Sequence, residues 1–545
     1  MKVPHSRRRM SFCVALRALI VLILCAGAIS EARPSQATYN ICEFGAKGDR
    51  KTLNTKAIQK AIDTCAENGG GTVFFPPGSF LSGTLYLTSN VTLELWSGST
   101  LLGSTDLKDY PPTVQAFRSY TDNYTDKSLI YGENLSNITI MGRGVIDGQG
   151  ASFKGPYKVR PYLIRLVTCR NVLVKDITLK NSPMWVQHYL ACDDVNIRGI
   201  TVKSRCNHNN DGINIDCCHR VRISDCNIWS GDDSIVLKST AARACENVTI
   251  TNCVLSSACN ALKFGTESNG RFKNIVVTGC SIYDTDLAGI ALEIVDGGTL
   301  EQVVVSDITM RNVRRAIFLR FGDRGRPFKK GTARPPIGVF HNVTISNIEA
   351  SGVGKVGSSI TGQPGHPIEN VTLSNIRISV RGEGTKKEAR KVVDEKPESY
   401  PECTMFGILP AYGFYCRHVR GLKLKNVDLN WIAPDRRHAL IFDDVEDAEI
   451  EGFTAQCAEN GSPVIRLNQV RDVSIRGCRA LSVTGTFLML EGDGTKGVSL
   501  VANDLTQAKK PVEIAPSVPN GALSQAGNLL KPKPGRPSPT APRPK

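Results

Sequence analysis

The chain has 545 residues, of which 41% are hydrophobic and 22% are charged, and its formal net charge is +16 at pH 7. This length allows two or more ordinary domains or one long repeat fold. About ten of the sixteen charges lie in residues 1–37 and 531–545, so the body of the chain is only moderately basic. That balance is compatible with an acidic glycan, and we predict no nucleic-acid partner.

The first segment has the pattern of an export signal. A basic start at residues 7–9 is followed by an apolar run over residues 12–28 and then by small residues. We therefore predict that residues 1–32 are a signal peptide and that the mature protein is secreted or periplasmic. An uncleaved anchor is the alternative, although Arg17 interrupts the run. No later segment is long and apolar enough to span a bilayer, and we predict a monomer.

The next element is an amphipathic helix near the start of the mature chain. Ala57, Ile58, Ala61 and Ile62 fall on one helical face, and the glycines at 69–71 end the pattern. A stack of repeats has an open end that must be covered, so we predict that this helix caps the repeats that follow.

One phrase recurs through the body of the chain: a polar residue, an apolar/polar alternation, a turn residue and a second alternation. Alternation predicts strands with one buried face, and intervals of about 23 to 28 residues leave no room for crossover helices. We predict an all-β fold, a single-stranded right-handed parallel β-helix over residues 38–510. An antiparallel sandwich is the alternative, but Asn-Gly hairpin turns are rare between the phrases. The phrases begin at Val172, Val195, Val221, Val248, Ile275 and Val303.

Sixteen cysteines follow the signal region, but their positions do not favour a disulfide scaffold. Several share a slot that isoleucine occupies in other repeats, which indicates a small buried apolar site. Cys403 with Cys416, or Cys65 with Cys42, could form a disulfide. No spacing is typical of zinc, and we predict no metal and no cofactor. The slot contains Cys226, Cys253, Cys280 and Cys478.

Two segments lack the repeat. Residues 381–402 are charged and unpatterned, and we predict that they form a long loop outside the stack. Residues 511–545 end in a basic, proline-rich sequence with little to bury, and we predict that they form a disordered tail.

A third strand in each coil can be aligned by its buried positions, and the residues between them must point outward. The buried column is Ile213, Ile235, Leu262, Ile290 and Ile317. The two outward columns are Asp216, Lys238, Gly265, Glu293 and Arg320, and Asn214, Val236, Lys263, Ala291 and Phe318. A further line, two residues before the buried column, is Asp211, Asp233, Asn260, Ala288 and Arg315.

The last line places two carboxylates on consecutive coils. Asp211 and Asp233 are expected roughly 4.8 Å apart by strand spacing, and Asp232 adjoins them. Such close carboxylates repel one another, so at least one should keep its proton near neutral pH. A protonated acid beside carboxylate bases is what the hydrolysis of a glycosidic bond requires. A calcium site or turn-capping aspartates are the structural alternatives.

The sequence also resembles a known family. The run NNDGINIDCCHRVRISDCNIWSGDDSIVLKS is similar to the catalytic segment of glycoside hydrolase family 28, the polygalacturonases and rhamnogalacturonases. The phrases FGAKGD, AIQKAID, GVIDGQG and NSPMWVQH extend the resemblance over roughly residues 38–500. It implies that Asp232 is the general acid and that Asp211 and Asp233 activate the attacking water, with inversion. We also expect Asn209, at the start of the motif, to contact substrate.

The departures from the family pattern bear on the substrate. Cys259–Asn260–Ala261 stands where polygalacturonases carry Gly-His-Gly, and Ala291, Leu292 and Glu293 stand where they carry Arg-Ile-Lys. A carboxylate in place of those cations would repel an acidic sugar. We therefore predict cleavage of a pectin-type polysaccharide at a neutral or rhamnose-containing linkage, with Glu293 accepting hydrogen bonds from sugar hydroxyls.

The remaining predicted substrate-binding residues are less constrained. Asn260 can donate a hydrogen bond but cannot carry charge. Lys238 and Arg320 share the column of Glu293 and either neutralise it or contact a substrate carboxylate. Lys263 lies in the outward column next to that of Glu293, and we expect it to line the site. Glu267 matches the glutamate of a Ser-Glu pair in bacterial family members, and we expect it to line the site as well. The alternative functions are a polygalacturonase proper, a β-helix polysaccharide lyase and a non-catalytic glycan-binding β-helix.

Overall fold

The computed structural model describes residues 37–531, so the predicted signal peptide and the end of the chain lie outside the described residues. The chain winds into successive coils, and the coils contribute strands to three faces, in which neighbouring coils pair as parallel strands. This arrangement is a right-handed parallel β-helix, as the repeat predicts. Within the described residues, no helix is long and apolar enough to cross a membrane.

The strands that belong to one face each are as follows. The first face contains Thr38–Asn40, Gly71–Phe75, Val91–Leu95, Ser136–Gly142, Arg170–Lys175, Asp193–Arg198, His219–Ser224, Cys245–Thr251, Arg471–Arg476, Lys496–Val501 and Leu523–Ala526. The second face contains Asp49–Leu53, Gly78–Ser82, Ser99–Gly103, Val145–Asp147, Thr178–Lys180, Thr201–Ser204, Asn227–Ser230, Val254–Ser257, Thr454–Ala455 and Arg479–Ala480. The third face contains Leu85–Tyr86, Ser128–Glu133, Tyr162–Val167, Gln187–Leu190, Ile213–Asp216, Ile235–Ser239, Leu262–Ser268, Ser358–Thr361, Ile465–Asn468, Thr484–Glu491 and Ala508–Ile514.

Other strands are long enough to bend around the corners and run through two or three faces. They are Arg271–Ile294, Thr299–Phe321, Val339–Val353, Ile368–Val380, Ala411–Trp431 and His438–Glu451. The helical elements are the α-helices Thr55–Glu67 and Lys386–Ala389 and the 3₁₀ turns Ile41–Phe44, Leu107–Asp109, Tyr120–Asn123, Gly150–Ser152 and Tyr157–Val159.

The core is built from the inward-pointing columns of the three faces. Val172 pairs with Val195, and Val195 pairs with Val221, so the predicted starts of the repeats are in register. All three valines are buried, as are the cysteines in the slot that follows. The alternation of apolar and polar residues thus fixes which side chains enter the core.

The helix Thr55–Glu67 covers the N-terminal end of the stack. Ile58, Ala61, Ile62 and Cys65 are buried on one of its faces and join the main core. The predicted capping helix is therefore confirmed, and it removes the open end of the core from water.

Two expectations from the sequence are wrong. The cysteines of the described residues are all free, so neither Cys403 and Cys416 nor Cys65 and Cys42 form a disulfide. The stack also continues past residue 510, because Ala508–Ile514 and Leu523–Ala526 pair with earlier strands. The alternation of apolar and polar residues in a strand such as LSQA is too short to predict a strand in a polar stretch. The rest of the predicted tail, from residue 532, lies outside the described residues.

Candidate active site

The turn from the second face to the third face places the predicted carboxylates together. Ile213 pairs with Ile235, which pairs with Leu262, so Asp211, Asp233 and Asn260 each precede an equivalent position of the third face. The ladder continues into the turn, since the Gly212 amide donates to the Asp233 carbonyl at 2.9 Å. Asp211 and Asp233 are each 3% exposed. Asp232 is partly exposed, so the group reaches the surface at that residue.

Asp233 is held by neighbours on the next coil. Its Oδ1 accepts hydrogen bonds from the backbone amide of Asn260 at 3.2 Å and from the side-chain Nδ2 at 2.8 Å. Its Oδ2 lies 3.3 Å from Nζ of Lys263. Asn260 in turn accepts a bond from the Ala288 amide at 3.0 Å, which fixes the orientation of its side chain. The Asp233 carboxylate therefore has a rigid set of donors around it.

The turn that carries Asp232 is fixed through its main chain. The Asp232 carbonyl accepts hydrogen bonds from the hydroxyls of Ser230 and Ser257, both at 2.7 Å. Its Oδ1 accepts from the amide of Asp233 at 2.9 Å. The Cys259 side chain also hydrogen-bonds to the Asp232 carboxyl group.

Burial and mutual repulsion change the proton affinity of these acids. Burial, followed by the charge of Asp232, raises the pKa of Asp211 well above its usual value. Burial and the charge of Asp233 raise the pKa of Asp232. The group therefore keeps a proton at a higher pH than separate aspartates would, as three adjacent carboxylates should.

Lys263 is the cation nearest to this group. Its Nζ lies 3.3 Å from Asp233 and 3.8 Å from Oε2 of Glu293. Burial alone would lower the pKa of Lys263, but these carboxylates raise it well above its usual value. Glu293 is fully buried, and its Oε1 has no hydrogen-bond partner. Burial raises the pKa of Glu293 to about 8, against the opposite effect of Lys263.

Lys238 and Glu267 form a second cluster, which adjoins the first because the charge of Lys238 acts to lower the pKa of Asp211. Nζ of Lys238 lies 3.2 Å from Oε2 of Glu267, and Oε1 of Glu267 accepts from Arg326 at 2.7 Å and from the Tyr124 hydroxyl at 3.2 Å. Burial alone would raise the pKa of Glu267, but Lys238, Arg324 and Arg326 together hold it below its usual value. Both oxygens of Glu267 are therefore engaged in joining three segments of the chain, which leaves them little capacity for a ligand.

Asn209 and Arg320 also have partners within the protein. Oδ1 of Asn209 accepts from the buried Arg160 at 2.8 Å, which holds the loop before Asp211. Arg320 is 1% exposed and does not join the carboxylates, because its guanidinium donates to the carbonyls of Glu395 at 2.9 Å and Lys396 at 3.0 Å. The structure therefore brings Asp211, Asp232, Asp233, Asn260, Lys263 and Glu293 together and places Arg320 elsewhere.

The outward columns point away from the core but are covered by long connections. Residues 104–127, 322–338 and 381–410 fold over the third face and carry groups that the sequence alone did not identify. Tyr400 contacts Thr266 at 2.9 Å, and Glu402 is close enough to Asp232 and Asp233 to be affected by their charges. The sequences of these segments have no periodicity that would predict how they fold. Only their aromatic and charged residues indicate that they could take part in a site.

One group of potential metal ligands exists in the described part of the chain. Ligand atoms of Asp232, Asp233 and Cys259 lie within 4.8 Å of one another. The ammonium of Lys263 lies 3.3 Å from Asp233 and opposes the binding of a divalent cation there. The arrangement is better suited to proton transfer than to metal coordination.

Comparison with known proteins places this geometry in a family. The sequence profile of glycosyl hydrolases family 28 matches residues 65–397. A probable polygalacturonase of Vitis vinifera is 30% identical over 377 residues, covering 64% of this chain and 75% of that protein. An exopolygalacturonase of Platanus acerifolia is 27% identical and covers 64% and 92%. The structure of a hyperthermoactive exopolygalacturonase from Thermotoga maritima superposes with a TM-score of 0.57 at 23% identity, covering 72% and 92%.

Proposed function

The chain belongs to glycosyl hydrolases family 28 and is a glycoside hydrolase, and we propose that it cleaves a pectin-type polysaccharide with Asp232 as the general acid. In this proposal Asp232 donates its proton to the oxygen of the leaving sugar. Asp211 and Asp233 accept a proton from the water that attacks the anomeric carbon from the opposite face, which inverts its configuration.

These roles require a proton held within the group, and the raised pKa values of two of its members supply one. Asp211 and Asp232 both have a raised pKa, whereas the donors of Asn260 and Lys263 stabilise negative charge on Asp233. The productive form has the shared proton on Asp232, which is the partly exposed member, and leaves Asp211 and Asp233 free to accept one.

The single observation that carries the proposal is the stacking of Asp211 and Asp233 on consecutive coils with Asp232 beside them. Turn-capping aspartates would face solvent, whereas Asp211 and Asp233 are both almost fully buried. Such an arrangement costs stability, because like charges in a poorly hydrated site repel, and it is typical of catalytic sites.

Charge around the site favours a neutral sugar at the cleaved linkage. Glu293 and Glu402 add two carboxyl groups, both with a raised pKa, to the three aspartates, and Lys263 is already paired with Asp233 and Glu293. A uronic acid entering here would add a negative charge beside five carboxyl groups and would make their ionisation harder, whereas a neutral sugar adds no charge. We therefore propose a neutral or rhamnose-containing linkage, with Asn260, Lys263 and Glu293 as substrate-binding residues.

A polygalacturonase proper is the second candidate, because the relatives carry that name. Its substrate would need a cation for each carboxylate at the cleaved residue. Lys263 and Lys238 are the cations that act on the aspartates, and a substrate carboxylate would have to displace Asp233 or Glu293 from Lys263, or Glu267 from Lys238.

The test is a panel of polymers assayed for new reducing ends. Wild type and Asp232→Asn are each assayed on rhamnogalacturonan, polygalacturonate and aryl glycosides. We expect turnover of rhamnogalacturonan or a neutral glycoside by wild type alone. Strong turnover of polygalacturonate would replace our proposal by the second candidate. An unsaturated product that absorbs in the ultraviolet would indicate a lyase instead.

We also propose that residues 1–32 direct export of the protein. The N-terminal sequence of material recovered outside the cytoplasm tests this proposal. Cleavage near residue 32 supports it, and an intact N-terminus on membrane-bound material contradicts it.

A further inference from the structure

Tyr400 is an exposed aromatic residue at the edge of the candidate active site. It lies on the segment 381–410, which leaves the stack after the strand Ile368–Val380 and returns at Ala411. Its side chain is 53% exposed, although its hydroxyl contacts Thr266 on the third face at 2.9 Å. An aromatic ring that is fixed at one end and open to solvent is suited to contact a ligand.

The position of the ring is fixed from several directions. Nζ of Lys263 lies 5.6 Å from the ring centroid, and the guanidinium of Arg324 lies 5.7 Å from it. The base of the segment is held by Arg320 through the carbonyls of Glu395 and Lys396. Little conformational entropy remains to be lost when a ligand packs on this ring, so the ring is preorganised.

The hydroxyl of Tyr400 is connected to the buried carboxyl group of Glu293. Oγ1 of Thr266 lies 3.2 Å from Oε2 of Glu293 and 2.9 Å from the Tyr400 oxygen. A threonine hydroxyl has one proton, so it can donate to only one of these neighbours and must accept from the other if both bonds form. The three groups therefore form a chain of hydrogen bonds that ends at the exposed edge of the site.

We propose that Tyr400 is a specificity-determining residue whose ring stacks on the apolar face of a neutral sugar at the cleaved linkage and whose hydroxyl, oriented through Thr266 and Glu293, bonds the same sugar. The inference rests on the proposed function. A sugar ring without a carboxylate presents C–H groups to the aromatic face, whereas a uronate would add charge beside Glu293 and Glu402.

The experiment compares kcat and KM on rhamnogalacturonan for four variants of the full chain. Tyr400→Ala removes the ring, and Tyr400→Phe removes only the hydroxyl. Thr266→Val breaks the link to Glu293 while keeping Tyr400. Trp96→Ala is the matched control, because Trp96 has the same 53% exposure and lies between the first and second faces.

We expect KM to rise about tenfold to a hundredfold in Tyr400→Ala, with a smaller change in kcat, because the variant loses the exposed aromatic surface that the sugar would cover on binding. Tyr400→Phe and Thr266→Val should each lower kcat/KM about threefold to tenfold. The double variant should lose no more than either single variant, because both interrupt one chain. Trp96→Ala should match wild type.

Binding to an inactive protein distinguishes the role of Tyr400 from the proposed function of the site. Rhamnogalacturonan oligosaccharides are titrated calorimetrically into Asp232→Asn with and without Tyr400→Ala. Suppose that wild type turns over rhamnogalacturonan, that Tyr400→Ala has the KM of wild type, and that Asp232→Asn binds equally well with and without Tyr400→Ala. That result would overturn the role of Tyr400 and leave the proposed function standing. Absence of both turnover by wild type and binding by Asp232→Asn would overturn the proposed function and this inference with it.

Discussion

At the residue scale, the buried carboxyl group of Glu293 couples the site to pH. Its pKa is raised to about 8 from a usual value of 4.5, chiefly by burial, while Lys263, Glu402, Asp233 and the Tyr400 hydroxyl face it. Between these two pH values only the folded state keeps the proton, so unfolding releases it. The free energy of unfolding therefore falls as pH rises through this window, and the contribution of Glu293 is fully present only below about pH 4.5.

Glu293→Gln should remove this dependence, because an amide does not ionise. We expect the variant to match wild type in urea unfolding at about pH 5 and to exceed it by a few kcal/mol at about pH 9. Other groups, such as the buried His188 with a pKa lowered to about 4 by burial, cancel in the comparison. An equal difference at both pH values would show that Glu293 does not titrate in this range.

The substitution Asp232→Asn tests the proposed role of Asp232 as the general acid. The amide keeps the shape of the side chain but has no acidic proton to give to the leaving oxygen, so we expect kcat to fall about 100-fold to 10,000-fold. Thermal stability should be kept or raised, since one of several repelling carboxylates is removed. The matched control is Asp194→Asn, in the exposed Asp193–Asp194 pair on the first face. Retained turnover in Asp232→Asn would remove Asp232 from the reaction.

The sequence identified the aspartates because the strand alignment alone brings Asp211 and Asp233 to equivalent places. The same alignment could not show that both carboxylate oxygens of Glu267 already have partners within the protein. Two of these partners, Arg326 and Tyr124, lie 59 and 143 residues away in connections without a repeat pattern. Contacts made by aperiodic loops depend on how those loops fold, and no local pattern encodes that.

At the scale of elements, the strands followed from alternation, whereas the covering segments did not. Residues 381–402 are expected from the sequence only to form a long loop outside the stack, yet Tyr400 in this loop contacts Thr266 on the third face. Two buried arginines make this possible. Arg320 and Arg417 project outward from third-face positions and donate to main-chain carbonyls of residues 393–396. The expectation that Arg320 contacts substrate is thus replaced by a role in positioning this segment.

Arg320→Ala should release the segment while leaving the stack folded. The segment contains four lysines and two arginines, so we expect faster tryptic cleavage within residues 381–410 and a loss of kcat/KM of about tenfold or more. Circular dichroism should remain that of wild type. Arg311→Ala is the control, because Arg311 lies on the same strand with an exposed side chain. Unchanged cleavage and activity in Arg320→Ala would mean that the other contacts hold the segment without it.

At the scale of the whole molecule, each coil contacts mainly its neighbours, so stability is approximately a sum of coil and interface contributions. The N-terminal end depends on the helix Thr55–Glu67, which buries Ile58 and Ile62 against the first coils. The aspartates lie several coils further along the stack. A defect at the cap should therefore loosen the end of the molecule before it reaches the site.

Ile62→Asp places an unpaired charge in this fully buried position, and we expect it to weaken the cap by about 3 to 5 kcal/mol. Hydrogen exchange should accelerate in the strands Gly71–Phe75 and Val91–Leu95, while Ile213–Asp216 and Ile235–Ser239 keep their protection and turnover persists. Lys60→Asp, on the exposed side of the same helix, should leave exchange unchanged. Uniform acceleration along all coils would show instead that the β-helix unfolds as one cooperative unit, in which the cap and the active site share a single stability.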